Sequence, residues 1–182
     1  MVDRPIIFSA PMVCALLAGR KTQTRRLASS PLARCRPGDR LWVRESYSGP
    51  WAYRDRPPRR WRMDCPIWYW ADGSPPDGDW TKPKPGMHMM RWMSRLTLVV
   101  TEVRKQQLQD ITEEDALGEG VSVALESRFF IPGVDMAWQR TAVLAYSALW
   151  DSLHGEGAWN ANPEVLAISF ICEHNEADGM SR

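Results

Sequence analysis

Lys21, Thr22 and Thr24 lie in a ten-residue run, Leu17-Ala18-Gly19-Arg20-Lys21-Thr22-Gln23-Thr24-Arg25-Arg26, that sets two hydroxyls among four cations. A lysine beside a hydroxyl is a recurring way to activate a nucleophile, because a neutral amine can take the hydroxyl proton as the oxygen attacks. Basic residues also cap many helix C-termini without doing any chemistry. The run therefore reads either as a solvated helix end or as a pocket for a polar or anionic ligand.

The elements around it follow from local signals. Ser9 is a candidate N-cap, Pro11 is tolerated in the first turn, and Met12, Val13, Leu16 and Leu17 share one helical face, which predicts a short helix ended by Gly19. Residues 20–26 are then expected on an irregular loop. Cys35-Arg36-Pro37-Gly38-Asp39 reads as a turn, and Arg40 to Glu45 alternates like a half-buried strand. A second strand is expected over Ser94–Val103 and a last one over Glu164–Ile171. Thr112-Glu113-Glu114-Asp115 resembles a capping box opening a short helix that ends near Glu119, between Gly118 and Gly120. Trp138, Ala142, Ala145, Leu149 and Leu153 recur at three- and four-residue steps and predict the longest helix over about 135–153, its stripe in the core.

Residues of about 46–90 carry many Pro, Gly, Arg and Trp with no sustained period. Six of the ten tryptophans (Trp51, Trp61, Trp68, Trp70, Trp80, Trp92) fall within or beside this insertion, too aromatic a composition for a disordered linker. It is expected to fold over the core as a lid or wall. Its interleaved arginines and rings would also suit base stacking and phosphate contact.

A chain of 182 residues is long enough for one well-buried core and short for two, so one domain over 1–172 with a polar tail over 173–182 is expected. No apolar run approaches the ~20 residues of a membrane span, and no signal peptide is visible. Cys14, Cys35, Cys65 and Cys172 are scattered without metal spacing, which favours reduced thiols in a cytoplasmic protein and leaves no expected metal or cofactor. The near-neutral net charge of +1 hides an asymmetry: residues 1–62 hold 14 Lys/Arg against 4 Asp/Glu, whereas the rest hold 9 against 18. Such a basic portion suits a phosphate-bearing ligand, or the two portions pair with each other in the fold. Strands broken by short helices, without βαβ alternation, indicate an α+β fold built on a small barrel.

Four stretches together resemble the ASCH domain superfamily, whose fold is a β-barrel related to the PUA RNA-binding domain. They are Phe8–Met12 running into Leu17–Arg26, Arg36–Glu45, Leu108–Ala116 with Glu119-Gly120-Val121, and the strand around Ile168–Phe170. The wording is also similar to ASCH proteins of phages and prophages. Small bacterial members are amidohydrolases that deacylate N4-acetylcytidine. By that resemblance the catalytic roles fall on Lys21, Thr24 and Glu119, with Arg20, Thr22, Arg25, Trp42, Arg44 and Glu45 as candidate substrate-binding residues. The implied partner is a modified nucleoside. Other members look like RNA binders or ribonucleases, so RNA in the same basic cleft is the alternative, and capture of a host factor through the insertion is a third reading. The long insertion departs from the small members.

Overall fold

The computed structural model describes residues 2–124 and 128–175. Its centre is a five-stranded sheet in the order β1-β3-β6-β9-β2, with β1 Asp3–Ile7, β2 Gln23–Leu27, β3 Arg40–Arg44, β6 Leu96–Gln107 and β9 Glu164–His174. β1 runs parallel to β3, with Asp3 opposite Arg40, and every other neighbouring pair is antiparallel. The long β6–β9 pair spans the sheet and changes register between Val100 and Glu102, a bulge of the kind that bends and twists a strand. Helices α1 (Ala10–Leu17), α2 (Glu113–Gly118) and α3 (Ala142–His154) complete the main body.

The expected small barrel is therefore an open sheet: β1 and β2 are its edges and share no ladder. A side chain spans the gap between them, as Arg26 Nη2 on β2 donates to the carbonyl of Ile7 on β1 at 3.1 Å. The fold is a mixed α+β arrangement, and no described helix is long and apolar enough to cross a membrane.

One apolar cluster joins the sheet to the helices, drawing Leu41, Leu98 and Ile168 from the strands, Val13 and Leu16 from α1, Ala116 from α2 and Ala145 and Leu149 from α3. Helix α1 forms where its pattern predicts, with Pro11 in the first turn, although the Ser9 hydroxyl makes no capping bond. Its end is a left-handed Gly19 (φ 68°), after which the backbone N–H groups of Arg20 and Lys21 both reach Ala15 O. Thr112 caps α2 as its sequence suggests, its hydroxyl accepting from Asp115 N at 3.1 Å.

Three boundaries differ from the sequence reading. Residues 23–27 form a strand instead of a loop, because β9 presents an unpaired edge from Val165 to Ser169 and buried carboxylates neutralise Arg25, the arginine that this pairing buries. Helix α3 begins at Ala142, not near 135. The backbone of Gln139 is engaged by Phe129 in two hydrogen bonds, and Thr141 then caps the helix through Leu144 N. Trp138 is accordingly outside the core, 56% exposed and stacked on Phe130, and Leu153 is 63% exposed. At the C-terminus β9 continues through Glu173 and His174, so the expected tail begins later, and its residues 176–182 lie outside the described residues.

The tryptophan-rich insertion builds a second, smaller core from Tyr47, Trp61, Met89 and Met93 around the two-stranded pair β4 (Tyr47–Ser48) and β5 (Trp68–Tyr69). Arg95 fastens it to the main body, holding the buried Glu45 carboxylate at 2.9 and 3.0 Å and Asp72 at 2.7 and 2.9 Å. Gly49 faces the indole of Trp61 so closely that a Cβ there would overlap the ring. The substitution Gly49→Ala is expected to displace Trp61 and destabilise the protein by about 1–3 kcal/mol, the usual range for overpacking. Chemical denaturation followed by tryptophan fluorescence checks this, and an unchanged midpoint refutes the packing described.

Candidate active site

Lys21 leaves the Gly19 turn pointing inward and is 3% exposed. Its Nζ donates to the Glu119 carboxylate (Oε2, 2.7 Å) and to the carbonyl of the same residue at 2.8 Å. Glu119 is the C-cap of α2 and is also 3% exposed, so a two-point bond joins the start of β2 to the end of a helix nearly a hundred residues away. The backbone repeats this tie, with Thr22 N donating to Gly118 O at 2.8 Å. Gly120, with φ of 105°, turns the chain away, and a Cβ there would meet Ala15 at 3.3 Å and Lys21 at 3.7 Å.

Arg25, on β2, is the largest fully buried side chain. Its guanidinium holds Asp115 Oδ2 at 2.7 Å, Glu119 Oε1 at 3.3 Å and Gln23 Oε1 at 2.6 Å. Asp115 also accepts from Arg104 at 2.7 Å and from Gln23 Nε2 at 3.1 Å. Burial pushes the Asp115 carboxyl up, but the hydrogen bonds from Arg104 and Gln23 and the Arg25 charge outweigh it and hold the group below its ordinary range. Asp115 is thus a permanent anion that fixes Arg25, and Arg25 fixes Glu119.

Burial acts on Lys21 in the opposite sense. Removal from water lowers its pKa more than the Glu119 charge and hydrogen bond raise it, and Arg26 and Arg25 add to the lowering. A lysine in that condition gives up its proton more readily than a surface lysine, as a general base must.

Lys21, Arg25 and Glu119 line one side of a cavity of about 340 Å³. Thr24 lies on the same wall, its Oγ1 accepting from Arg26 Nη1 at 2.9 Å, which leaves the hydroxyl hydrogen free to donate elsewhere. Arg26 gives its other hydrogen bonds to the carbonyls of Arg25 and Ile7 and forms no ion pair among the described residues, the Glu119 carboxylate acting on it only through its field. The rest of the lining is apolar and aromatic: Phe8, whose ring lies against Lys21 and Arg26, Met12, and the face of α3 that carries Leu149, Trp150 and Leu153. Tyr146, one turn earlier on α3, faces the charged wall; burial first and then Glu119 hold its hydroxyl protonated, well above the ordinary tyrosine range. His154 stacks on Trp150 with ring centroids 4.1 Å apart, and burial together with Arg26 lowers its pKa, favouring the neutral imidazole.

Helix α3 is placed by a contact from α2: Glu113 accepts from the free N–H groups of Ala142 (2.6 Å) and Val143 (3.4 Å), satisfying donors that a helix start leaves open. One short helix therefore supplies Glu119, holds Arg25 through Asp115 and sets the position of the helix opposite.

Of the residues singled out in the sequence, Lys21, Thr24, Arg25 and Glu119 come together at this cavity. The others do not line it. Arg20 turns to Ser122 Oγ at 3.2 Å and the Gly120 carbonyl at 3.5 Å, and Thr22 is exposed. Trp42 packs under Arg44 at 4.4 Å, and Glu45 belongs to the Arg95 clamp. The insertion contributes no lining residue either, contrary to the expected lid, because its own core and its contact with the far side of α1, through Cys14 Sγ to Ala71 O, hold it elsewhere. Sequence reasoning missed Arg26, Tyr146, His154 and Asp115. The spacing of Tyr146, Trp150 and His154 at four-residue steps was the available signal. Among the described residues no cluster of His, Cys, Asp and Glu is arranged to hold a metal ion.

No protein family, characterised protein or solved structure matches this chain.

Replacing Arg25 by Met is expected to destabilise the fold by about 3–5 kcal/mol, since Asp115 and Glu119 lose the charge that offsets their burial. The double substitution Arg25→Met with Asp115→Asn should recover part of that loss. Urea unfolding of the four proteins of this cycle measures the coupling, and strict additivity would show that the pair is not a unit.

Proposed function

We propose that the protein is an amidohydrolase that removes the acyl group from N4-acetylcytidine or a related N4-acylated cytosine nucleoside. The observation that carries this reading is the buried Lys21–Glu119 pair, with its lowered lysine pKa, on the same cavity wall as Thr24. The resemblance to the ASCH superfamily assigns roles to those same three residues. Under this reading the open sheet is a variant of the ASCH barrel in which the gap between β1 and β2 serves as the substrate entrance.

The size and lining of the cavity agree with the proposal. A volume of about 340 Å³ lies at the lower end of the range for small-molecule sites and suits one nucleoside. The base and acyl group have an apolar wall to stack on in Phe8, Leu149 and Trp150, and the amide faces the charged wall.

In the reaction, neutral Lys21 takes the proton of Thr24 as Oγ1 attacks the acyl carbonyl, or takes it from a water that Thr24 holds. The carbonyl π electrons move onto oxygen, and Arg26, a cation without a carboxylate partner and already bonded to Thr24 Oγ1, stabilises the oxyanion. The carbon–nitrogen bond then breaks, and the Lys21 ammonium returns the proton to N4 of cytosine. If Thr24 carries the acyl group, a water activated by the same lysine releases it as the carboxylic acid. Glu119 keeps Lys21 aimed through both steps, and Arg25 keeps Glu119 in place.

Release of cytidine from N4-acetylcytidine tests the reading. Lys21→Ala and Thr24→Ala should each lower kcat/KM by about 10²–10⁴, the range for loss of a general base or a nucleophile, and Glu119→Gln should lower it while the protein remains folded. Because the active amine is the neutral one, kcat/KM should rise with pH and level off at a pKa below the ordinary lysine value of 10.5. That limb should disappear in Lys21→Ala. A folded wild-type protein that turns over no N4-acylcytidine overturns the proposal.

A further inference from the structure

A second hollow, of about 570 Å³, lies where the start of β1 meets the turn before β3, and three arginines line it: Arg4, Arg34 and Arg36. They come from three places in the fold: Arg4 from β1, Arg34 from the end of the 3-10 turn Pro31–Arg34, and Arg36 from the loop that follows. None of the three forms an ion pair among the described residues; Arg4 is half-buried, and Arg34 and Arg36 are exposed at the rim. The Nε of Arg4 is buried without a hydrogen-bond partner.

The single acid at this hollow is already committed. Asp39 Oδ1 accepts from Val2 N at 2.9 Å and Oδ2 from Arg36 N at 3.2 Å, so its oxygens serve the backbone that frames the site. Three positive charges against one negative leave an excess of two.

We propose that this hollow is a binding site for a phosphate monoester or free phosphate. The charge excess matches a phosphate group carrying roughly −1.5 to −2 near neutral pH, whereas a carboxylate or a phosphodiester, with a single charge, leaves one cation uncompensated. Guanidinium forks are matched in geometry to the oxygens of phosphate and are weakly hydrated, so transfer of the anion from water to this arginine-lined hollow is favourable. The site is separate from the reaction cavity and does not depend on the amidohydrolase reading. Cys35, which lines the same hollow, is kept as a thiol by burial and by Asp39, so it adds no competing negative charge.

Calorimetric titration with inorganic phosphate and with cytidine 5′-monophosphate tests the site, alongside cytidine and a cytidylyl-cytidine dinucleotide whose one phosphate is a diester. Both monoester-type probes should bind, the dinucleotide at least 10-fold more weakly, and cytidine with no contribution from this hollow. Arg34→Gln and Arg36→Gln, each shown to melt like the wild type, should weaken phosphate binding about 10-fold or more, equivalent to about 1.4 kcal/mol. Lys21→Ala, in the other cavity, should leave phosphate binding unchanged. Tighter binding of cytidine 5′-monophosphate than of phosphate identifies a nucleotide as the source of the group, and equal binding identifies free phosphate. Absence of phosphate binding, binding indifferent to both arginine substitutions, or binding lost in Lys21→Ala overturns the proposal.

Discussion

The structure depends on a charge buried where a strand would ordinarily place an apolar side chain. Arg25 has no exposed surface in its side chain, and its removal from water is tolerable only because Asp115, Glu119 and Gln23 are already in place around it. Those partners come from α2 and from β2 itself, so the interaction sets the distance between the helix and the sheet edge. Burial of this kind contributes little net stability, since desolvation consumes most of the Coulombic gain, but it penalises every arrangement that leaves one charge alone. The result is geometric: Glu119 cannot move without uncovering Arg25, and Lys21 is bonded to Glu119.

The same network sets the proton chemistry of the site. A buried lysine against a buried carboxylate would ordinarily form a tight, unreactive ion pair. Here Arg25 shares the carboxylate, and Arg26 adds a third positive charge close to the amine, so Glu119 neutralises only part of the local field. Desolvation then prevails over attraction at Lys21. Tyr146, held neutral beside the same carboxylate, leaves the balance undisturbed over the physiological range.

Much of this was legible in the chain. The helix ended by Gly19, the capped helix leading to Glu119 and strands over 40–44, 96–103 and 164–171 follow from periodicity and turn residues, whereas the continuations to 107 and 174 do not, and the trio Lys21, Thr24 and Glu119, which meets at one cavity, comes from the family resemblance. What could not be read was whatever depends on partners far away in sequence. Gln23–Leu27 is charged and reads as a loop until β9 supplies an edge and Asp115 supplies a counter-charge. The insertion reads as a wall for the pocket because aromatic residues suit one. Its position is decided by the Arg95 clamp to Glu45 and Asp72, and no local pattern predicts that clamp. The closed barrel was expected from an inventory of elements, and an inventory does not show whether two edges meet.

The edges of β1 and β2 are spanned by one arginine side chain instead of a backbone ladder. A ladder fixes its spacing at about 4.8 Å, whatever the side chains are. A side-chain bridge has an adjustable length, because its reach is set by rotamers and by the identity of a single residue. The width of the gap is thereby separated from the integrity of the hydrophobic core. A change at position 26 alters the gap without removing a strand pairing, while the buried charges of Arg25, Asp115 and Glu119 behind it keep one geometry.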